Sequence, residues 1–218
     1  MFKVCIFDLD GTIANSLVSI ANSANKAIGK FGFNPNPIQN YNKYAGDGAE
    51  EMIKRSLIDA GDKNLFYFEE AFNEYKIIFE KECMYEVKPY DGIESVLNKL
   101  KEKNIKLSVL SNKPHDRAVD VVKGLFGDDL FDIVEGVSGK FKRKPDPQGA
   151  LYIADLFKVK PEECAYFGDT NTDMITGKSA GMFTVGVLWG FRDRNELEEN
   201  NADIIISNPS EILDIVMR

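Results

Sequence analysis

From residue 93 onward, helical patterns alternate with short apolar runs, and this alternation most constrains how the 218-residue chain can fold. Ile93, Val96, Leu97 and Leu100 recur at helical spacing and precede the run Leu107 to Leu110. A helix over 116–126 precedes Ile133-Val134, and one from Pro147 to Phe157 precedes Ala165 to Phe167. A helix over 172–180 precedes Phe183 to Leu188, and a last strand, Ile204 to Ile206, leads into a helix from Ser210 to Met217. Strands this short and apolar, separated by helices, belong to a parallel sheet covered on both faces. One further strand, Lys3 to Asp8, stands alone at the N-terminus. Between it and the alternating region lie three helical patterns and no strand. Leu17 to Phe31 is capped by Asn15 or Ser16 and closed by Gly32, Met52 to Ala60 is closed by Gly61, and Phe68, Phe72, Tyr75 and Phe79 form an aromatic stripe of core spacing. The pattern predicts an α/β fold: a doubly wound parallel-sheet (Rossmann-like) core of residues 1–14 and 84–218 with a helical insertion over 15–83.

Composition narrows the function. Lysine plus arginine number 27 against 35 aspartate plus glutamate, a net charge of −8 that opposes general nucleic-acid binding. The longest nearly unbroken apolar stretch, Phe183 to Phe191, is too short to span a bilayer. The N-terminal apolar run stops at Asp8, without a signal peptide's h-region. Cys5, Cys83 and Cys164 are odd in number and scattered, the pattern of reduced thiols rather than a disulfide frame or a zinc site. The expectation is a cytoplasmic protein that binds neither nucleic acid nor membrane.

Open parallel sheets bind ligands beyond the carboxyl ends of their strands. The residues there are Asp8-Leu9-Asp10-Gly11-Thr12, Ser111-Asn112-Lys113-Pro114, Lys144-Pro145-Asp146-Pro147 and Gly168-Asp169-Thr170-Asn171-Thr172-Asp173. Strand side chains alternate, so Asp8 and Asp10 face one side, and two such charges need a cation or a proton between them. Asp169 and Asp173 complete an oxygen-rich set with Asp8, and hard oxygen donors favour Mg²⁺ over zinc. Each segment also has a plain structural reading. Asp-Leu-Asp-Gly-Thr is also a common solvated turn, Asp169 a helix cap, and Ser111-Asn112 a cap ahead of Pro114. The run Lys140 to Lys144 is of a kind that usually forms a solvated loop. Lys144 stands out within it because Pro145 and the pair Asp146-Pro147 stiffen the backbone on its C-terminal side, so that its cation could neutralise a phosphoryl group. Gly177-Lys178-Ser179 imitates the tail of a P-loop, but Thr172 stands where that motif needs glycine. His115, the single histidine, reads as a helix-start residue, Trp189 as a loop residue open to a partner, and Glu196 to Glu199 as a solvated helix face.

Together the four segments resemble the haloacid dehalogenase-like hydrolases. That family's motifs are a strand-end Asp-x-Asp-x-Thr, a strand-end Ser or Thr, a lysine and a late acidic pair. Asp8/Asp10/Thr12, Ser111, Lys144 and Asp169/Asp173 match them in order over nearly the whole chain. The helical block then resembles the small helical cap of the family. Asp10 points to the phosphotransferase branch, since a phosphate ester releases an alkoxide that wants a general acid. The longer match is to phosphoglycolate phosphatase-like members, through Val109 to Pro114, Arg143 to Pro147, Tyr166 to Thr170, Gly186 to Arg192 and, in the cap, Tyr44 to Ala49 with Gly46 and Gly48. Two positions depart from that pattern. Asn15 stands where the branch often has aspartate. Asp47 adds a negative charge to a cap loop, which counts against an acidic leaving group such as glycolate.

The resemblance implies that Asp8 attacks phosphorus and Asp10 serves as acid and then base. Mg²⁺ is implied on Asp8, Asp169, Asp173 and the Asp10 carbonyl. Thr12, Ser111, Asn112, Gly46 and Gly48 are implied to contact substrate, and Lys144 with Ser111 and Asn112 to hold the phosphoryl oxygens. The expected substrate is a small phosphorylated molecule and the expected assembly a monomer or homodimer. A pyrophosphatase or a sugar phosphomutase would keep the same intermediate. A catalytically silent binding protein would keep the fold alone, but it has no physical reason to retain mutually repelling carboxylates.

Overall fold

The computed structural model describes residues 2–217. The chain divides into two compact units, one of residues up to Asn15 and from Pro89 on, the other Ser16–Lys88. Two-residue strands β2 (Ala14–Asn15) and β3 (Lys88–Pro89) lie at the two passages between them.

The first unit is built on a six-stranded sheet. Its strands are β1 (Val4–Phe7), β4 (Lys106–Pro114), β5 (Ile133–Val137), β6 (Cys164–Gly168), β7 (Phe183–Val187) and β8 (Ile204–Ile206). The order is β5-β4-β1-β6-β7-β8, and every pairing is parallel. Four β-branched, aromatic or thiol side chains, all with no exposure, make β1 the centre: Val4 and Ile6 point to one face, Cys5 and Phe7 to the other. On one face Val4 and Ile6 pack with Leu110, Ala150, Ile153 and Tyr166. On the other, the Phe7 ring stacks on Phe167 at 4.7 Å and meets Phe131 edge-on at 6.4 Å. Each such fully buried side chain contributes roughly 1.5–3 kcal/mol. The chain runs from β1 outward through β4 to β5, then returns to the other side of β1 for β6, β7 and β8. This reversal opens a crevice at the carboxyl ends of β4, β1 and β6.

Helices α5 (Ile93–Glu102), α6 (His115–Phe126), α7 (Gln148–Leu156), α8 (Asn171–Ser179), α9 (Arg194–Glu199) and α10 (Glu211–Val216) complete this unit. The expected alternation is present, with one correction. β4 does not stop at Leu110 but continues to Pro114, with its register against β5 shifting between Leu110 and Pro114. Ser111, Asn112 and Lys113 therefore belong to an irregular strand end rather than to a loop beyond it. The Trp189 indole N–H donates to the Thr12 carbonyl at 2.9 Å, and the ring is half-buried.

The second unit holds α1 (Leu17–Gly29), α2 (Tyr41–Tyr44), α3 (Ala49–Asp59) and α4 (Phe68–Glu82), with α1 packed along α4. The first helix ends at Gly29, not at Gly32, which turns the chain three residues later at φ +84°. The short α2 gave no sequence signal. A buried polar network holds it: Tyr41 OH donates to Asn25 Oδ1 at 2.9 Å, and Asn36 Nδ2 donates to the Ser56 carbonyl at 2.8 Å. Of the aromatic stripe, Tyr75 and Phe79 are buried, whereas Phe68 and Phe72 are only partly so and stack on each other at 5.7 Å.

Candidate active site

The crevice end of the first unit collects four acids and two lysines. β1 ends where the Asp8 N–H donates to the Phe167 carbonyl at 2.9 Å, which fixes the start of the Asp8 loop against β6. The chain then turns sharply. The Leu9 carbonyl accepts from the N–H groups of Thr12, Ile13 and Ala14 at 3.3, 3.1 and 2.9 Å. Gly11 makes that turn at φ +92°, and a Cβ there would lie 2.3 Å from Asp169 Oδ2. Only glycine meets both demands. Gly190 is confined in the same way, since its Cβ would fall 2.3 Å from Asp169 Cβ and 2.4 Å from the Gly11 carbonyl oxygen. The Asp8 turn, Asp169 and the loop after β7 are thus pressed together.

Each acid is held by its own donors. Asp169 Oδ1 accepts from the Thr12 hydroxyl at 2.9 Å and Oδ2 from the Phe191 N–H at 2.8 Å. Asp173 lies in the first turn of α8 and shares a reciprocal cap with Thr170. The Thr170 N–H and hydroxyl donate to its Oδ2 at 3.1 and 2.7 Å. The helix cap is therefore Thr170 with Asp173, and Asp169 is left to face the turn. Lys144 joins the acids: its ammonium donates to Asp8 Oδ1 and to Asp173 Oδ1, both at 2.7 Å, with its side chain 3% exposed. Asn112 Nδ2 donates to the Lys144 carbonyl at 3.1 Å and so fixes the backbone that delivers the lysine.

Asp8, Asp169 and Asp173 each offer an oxygen within 4.8 Å of the others, and all three are buried. At an effective dielectric constant of about 20, each ionised pair at that range repels by about 3–4 kcal/mol. The titration of the cluster reflects this crowding. Burial, and then the Asp173 charge, push the Asp8 carboxyl well above its usual range, against the pull of Lys144. Burial and Asp173 push Asp169 up to about 7, opposed by the Phe191 N–H, the Thr12 hydroxyl and Arg192. Burial acts against the Lys144 ammonium, but Asp173 and Asp8 outweigh it and raise its pKa well above the lysine value. Three acids against one ammonium, with oxygen donors alone, fit a small hard divalent cation.

Other expected site residues sit differently. Asp10 lies outside the convergent trio, and its carboxylate pairs with Lys113 Nζ at 3.1 Å. The Thr12 hydroxyl proton is committed to Asp169, so this side chain orients a carboxylate. Ser111 is buried at the end of β4, where its Oγ accepts from the Lys113 N–H at 3.2 Å. Gly46 and Gly48 belong to the helical unit, at φ +112° and +94°, with Gly48 preceding α3. Asp47 between them is ion-paired with Arg55 at 2.7 Å, which offsets the negative charge read there from sequence. Two participants carried no sequence signal of a role. Lys113 was one more residue of the Ser-Asn-Lys-Pro segment, and Tyr166 an apolar strand position. The Tyr166 hydroxyl is buried 3.5 Å from Asp173 Oδ1. His115 does start α6, where its Nδ1 accepts from the Gly136 N–H at 3.3 Å. Cys5, Cys83 and Cys164 are all free and buried.

The family model for haloacid dehalogenase-like hydrolases matches residues 5–187, which include every one of these strand-end segments. The chain belongs to the haloacid dehalogenase-like hydrolases. Within them it falls in the phosphoglycolate phosphatase-like branch and is a phosphoric monoester hydrolase. It is 31% identical over 224 residues to the phosphoglycolate phosphatase of Haemophilus influenzae (strain Rd), covering 99% of this chain and 98% of that protein. It is 30% identical over 214 residues to that of Aquifex aeolicus, covering 98% and 96%. Among solved structures it shares the fold of a provisionally assigned phosphoglycolate phosphatase from Lactobacillus delbrueckii subsp. bulgaricus. That match has TM-score 0.92 and 24% identity, over 99% and 98% of the two chains. Among the described residues no helix is long and apolar enough to cross a membrane.

Proposed function

We propose that this hydrolase cleaves a small phosphate monoester with Mg²⁺ as cofactor, through a phosphoaspartate on Asp8, and that phosphoglycolate is the favoured substrate. The observation that carries the reading is the buried trio Asp8, Asp169 and Asp173 with Lys144 bridging two of its members. Asp8, Asp169 and Asp173 would hold the metal, with the Asp10 carbonyl beside them. When bound, Mg²⁺ would offset the repulsion between a carboxylate nucleophile and an anionic phosphate.

The residues of the chain divide the remaining work. An Asp8 carboxylate oxygen attacks phosphorus, the bond from phosphorus to the ester oxygen breaks, and the leaving oxygen takes a proton from Asp10, which must enter this step as the neutral acid rather than as the ionised partner of Lys113. Asp10, now ionised, removes a proton from water. The resulting hydroxide attacks the phosphoaspartate phosphorus, releasing phosphate and restoring Asp8. Lys144, Ser111 and Asn112 would hold the non-bridging oxygens, where charge collects in the transition state. Thr12 and the Phe191 N–H keep Asp169 aimed, and Thr170 does the same for Asp173. The phosphoglycolate phosphatases at 30–31% identity support the substrate. The Arg55–Asp47 pair removes one objection to an acidic leaving group. Residues 15–83 would act as the helical cap that reads that group, with Gly46 and Gly48 in its substrate loop, and the protein would work in the cytoplasm.

The test is a phosphate-release screen over phosphorylated metabolites, with Asp8→Asn as blank and with and without a chelator. Release from phosphoglycolate that needs Mg²⁺ and Asp8 is the expected result. Release that persists in Asp8→Asn would end the nucleophile assignment.

A further inference from the structure

The basic run Lys140-Phe141-Lys142-Arg143-Lys144 is only partly used by the chemistry above. Residues 140–146 carry four cations and one acid, in a chain whose net charge is −8. Two of the cations are committed. Lys140 pairs with Glu135 at 2.9 Å and sits over the Tyr152 ring, and Lys144 is buried on Asp8 and Asp173. The other two are not buried. Lys142 is 75% exposed on its side chain and reaches Asp146 only at 3.8 Å, and Arg143 is exposed with no charged partner among the described residues. Both line an open cavity of about 610 Å³ together with Lys144, Pro145 and Asp146. A phosphate dianion approaching Lys144 is repelled by the chain as a whole and by the four acids at the strand ends. This loop is the local exception.

We propose that Lys142 and Arg143 form an anion-capture rim that draws the phosphoryl dianion toward Lys144, acting through long-range charge rather than through contact with the reacting atoms. The proposal rests on the phosphatase reading and adds to it the residues that set how fast and how tightly the dianion is collected. Reversing one charge about 12 Å from a dianion changes its affinity about fivefold at about 10 mM salt and less than about twofold at about 150 mM, where the Debye length is about 8 Å. Reversing both charges should multiply to about twentyfold at low salt.

Two measurements test this on the full-length protein with Mg²⁺: binding of inorganic phosphate by calorimetry, and kcat/KM for p-nitrophenyl phosphate. Each is made at about 10 and about 150 mM salt for wild type, Arg143→Gln, Arg143→Glu and Lys142→Glu/Arg143→Glu. The expected result is graded weakening of phosphate binding and of kcat/KM at low salt, collapsing at high salt, with kcat at saturation unchanged. Phosphate affinity that is unchanged at low salt, or reduced equally at both salts, overturns the proposal. A graded, salt-dependent loss of phosphate binding across these variants of a protein that hydrolyses nothing would sink the phosphatase reading instead and leave the capture rim standing.

Discussion

Asp169→Asn tests whether the acidic cluster is assembled for a cation. Asp169 is fully buried, and its carboxyl is pushed up to about 7 by burial and by Asp173. The sign comes from proton counting. A folded-state pKa raised above the unfolded value of about 4 means that the folded protein binds more protons between those limits. Its stabilising effect is fully present below about pH 4 and is lost as pH rises through about 7. Each pH unit within that window removes about 1.4 kcal/mol, so going from about pH 5 to about 7.5 removes up to about 3 kcal/mol. For a chain of this size that is about 6–12 °C in Tm. Asparagine keeps the shape and can keep both bonds, its carbonyl accepting from the Phe191 N–H and its amide donating to the Thr12 hydroxyl oxygen. The assay is thermal unfolding at the two pH values in EDTA and in saturating Mg²⁺. In EDTA, wild type should lose Tm as pH rises and Asp169→Asn should lose markedly less. Mg²⁺ should abolish the wild-type slope by stabilising the ionised cluster, and should do little for the variant. A wild-type Tm that is flat or rising across this window in EDTA, or an identical slope in the variant, refutes the reasoning.

The same geometry sets other expectations. Asp8→Asn should fold normally yet lose phosphate release by at least about a thousandfold, measured against the wild-type rate on the best monoester in the screen. Thr170→Val removes the hydroxyl that holds Asp173 Oδ2. It should lower Mg²⁺ affinity about 10- to 100-fold in calorimetric titration and cost about 1 kcal/mol of helix capping in urea unfolding. Asp203, far in sequence from the trio, is held below the usual carboxylate range. Burial raises it, but the Lys178 ammonium at 2.7 Å and the Thr184 N–H and hydroxyl at 2.8 and 2.9 Å outweigh that. A depressed pKa stabilises above the unfolded value of about 4 and is lost as pH falls through the folded one. Screened by solvent at this exposed site, Asp203→Asn should therefore cost about 1 kcal/mol or less at neutral pH and almost nothing near pH 2, read from urea midpoints.

How much of the molecule is legible in its residues depends on how local each cause is. The sheet was legible because its signal is repeated: strands such as Val4–Phe7 and Cys164–Gly168 are apolar on both faces, and each is followed by polar residues at the end that faces the crevice. That rule brought Asp8 and Asp169 to one place without any knowledge of distance, since parallel strands deliver their carboxyl ends to one edge, whereas Asp173 lies within α8 and Lys144 lies well past the end of β5 at Val137, where only the folded connection brings it back. The irregular end of β4 was not legible. Ser111 to Pro114 could leave a strand or extend it, and pairing with β5 decides between these across more than twenty residues of sequence. The short helix α2 is held through Tyr41 by Asn25 and Ser56, which lie 16 and 15 residues away on either side, so no short window of sequence contains its cause. The same holds for the roles of Thr12 and Lys113. A threonine after Asp-Gly reads as a group free to meet a ligand, and a lysine after Ser-Asn carries no signal of a role at all. Their partners, Asp169 and Asp10, become visible only when distant turns are pressed together at Gly11 and Gly190. Chemistry-bearing residue types thus show in sequence wherever strand ends concentrate them. The choice between touching a ligand and steadying another side chain is made by contacts 100 or more residues apart, as between Thr12 and Asp169 or Lys113 and Asp10.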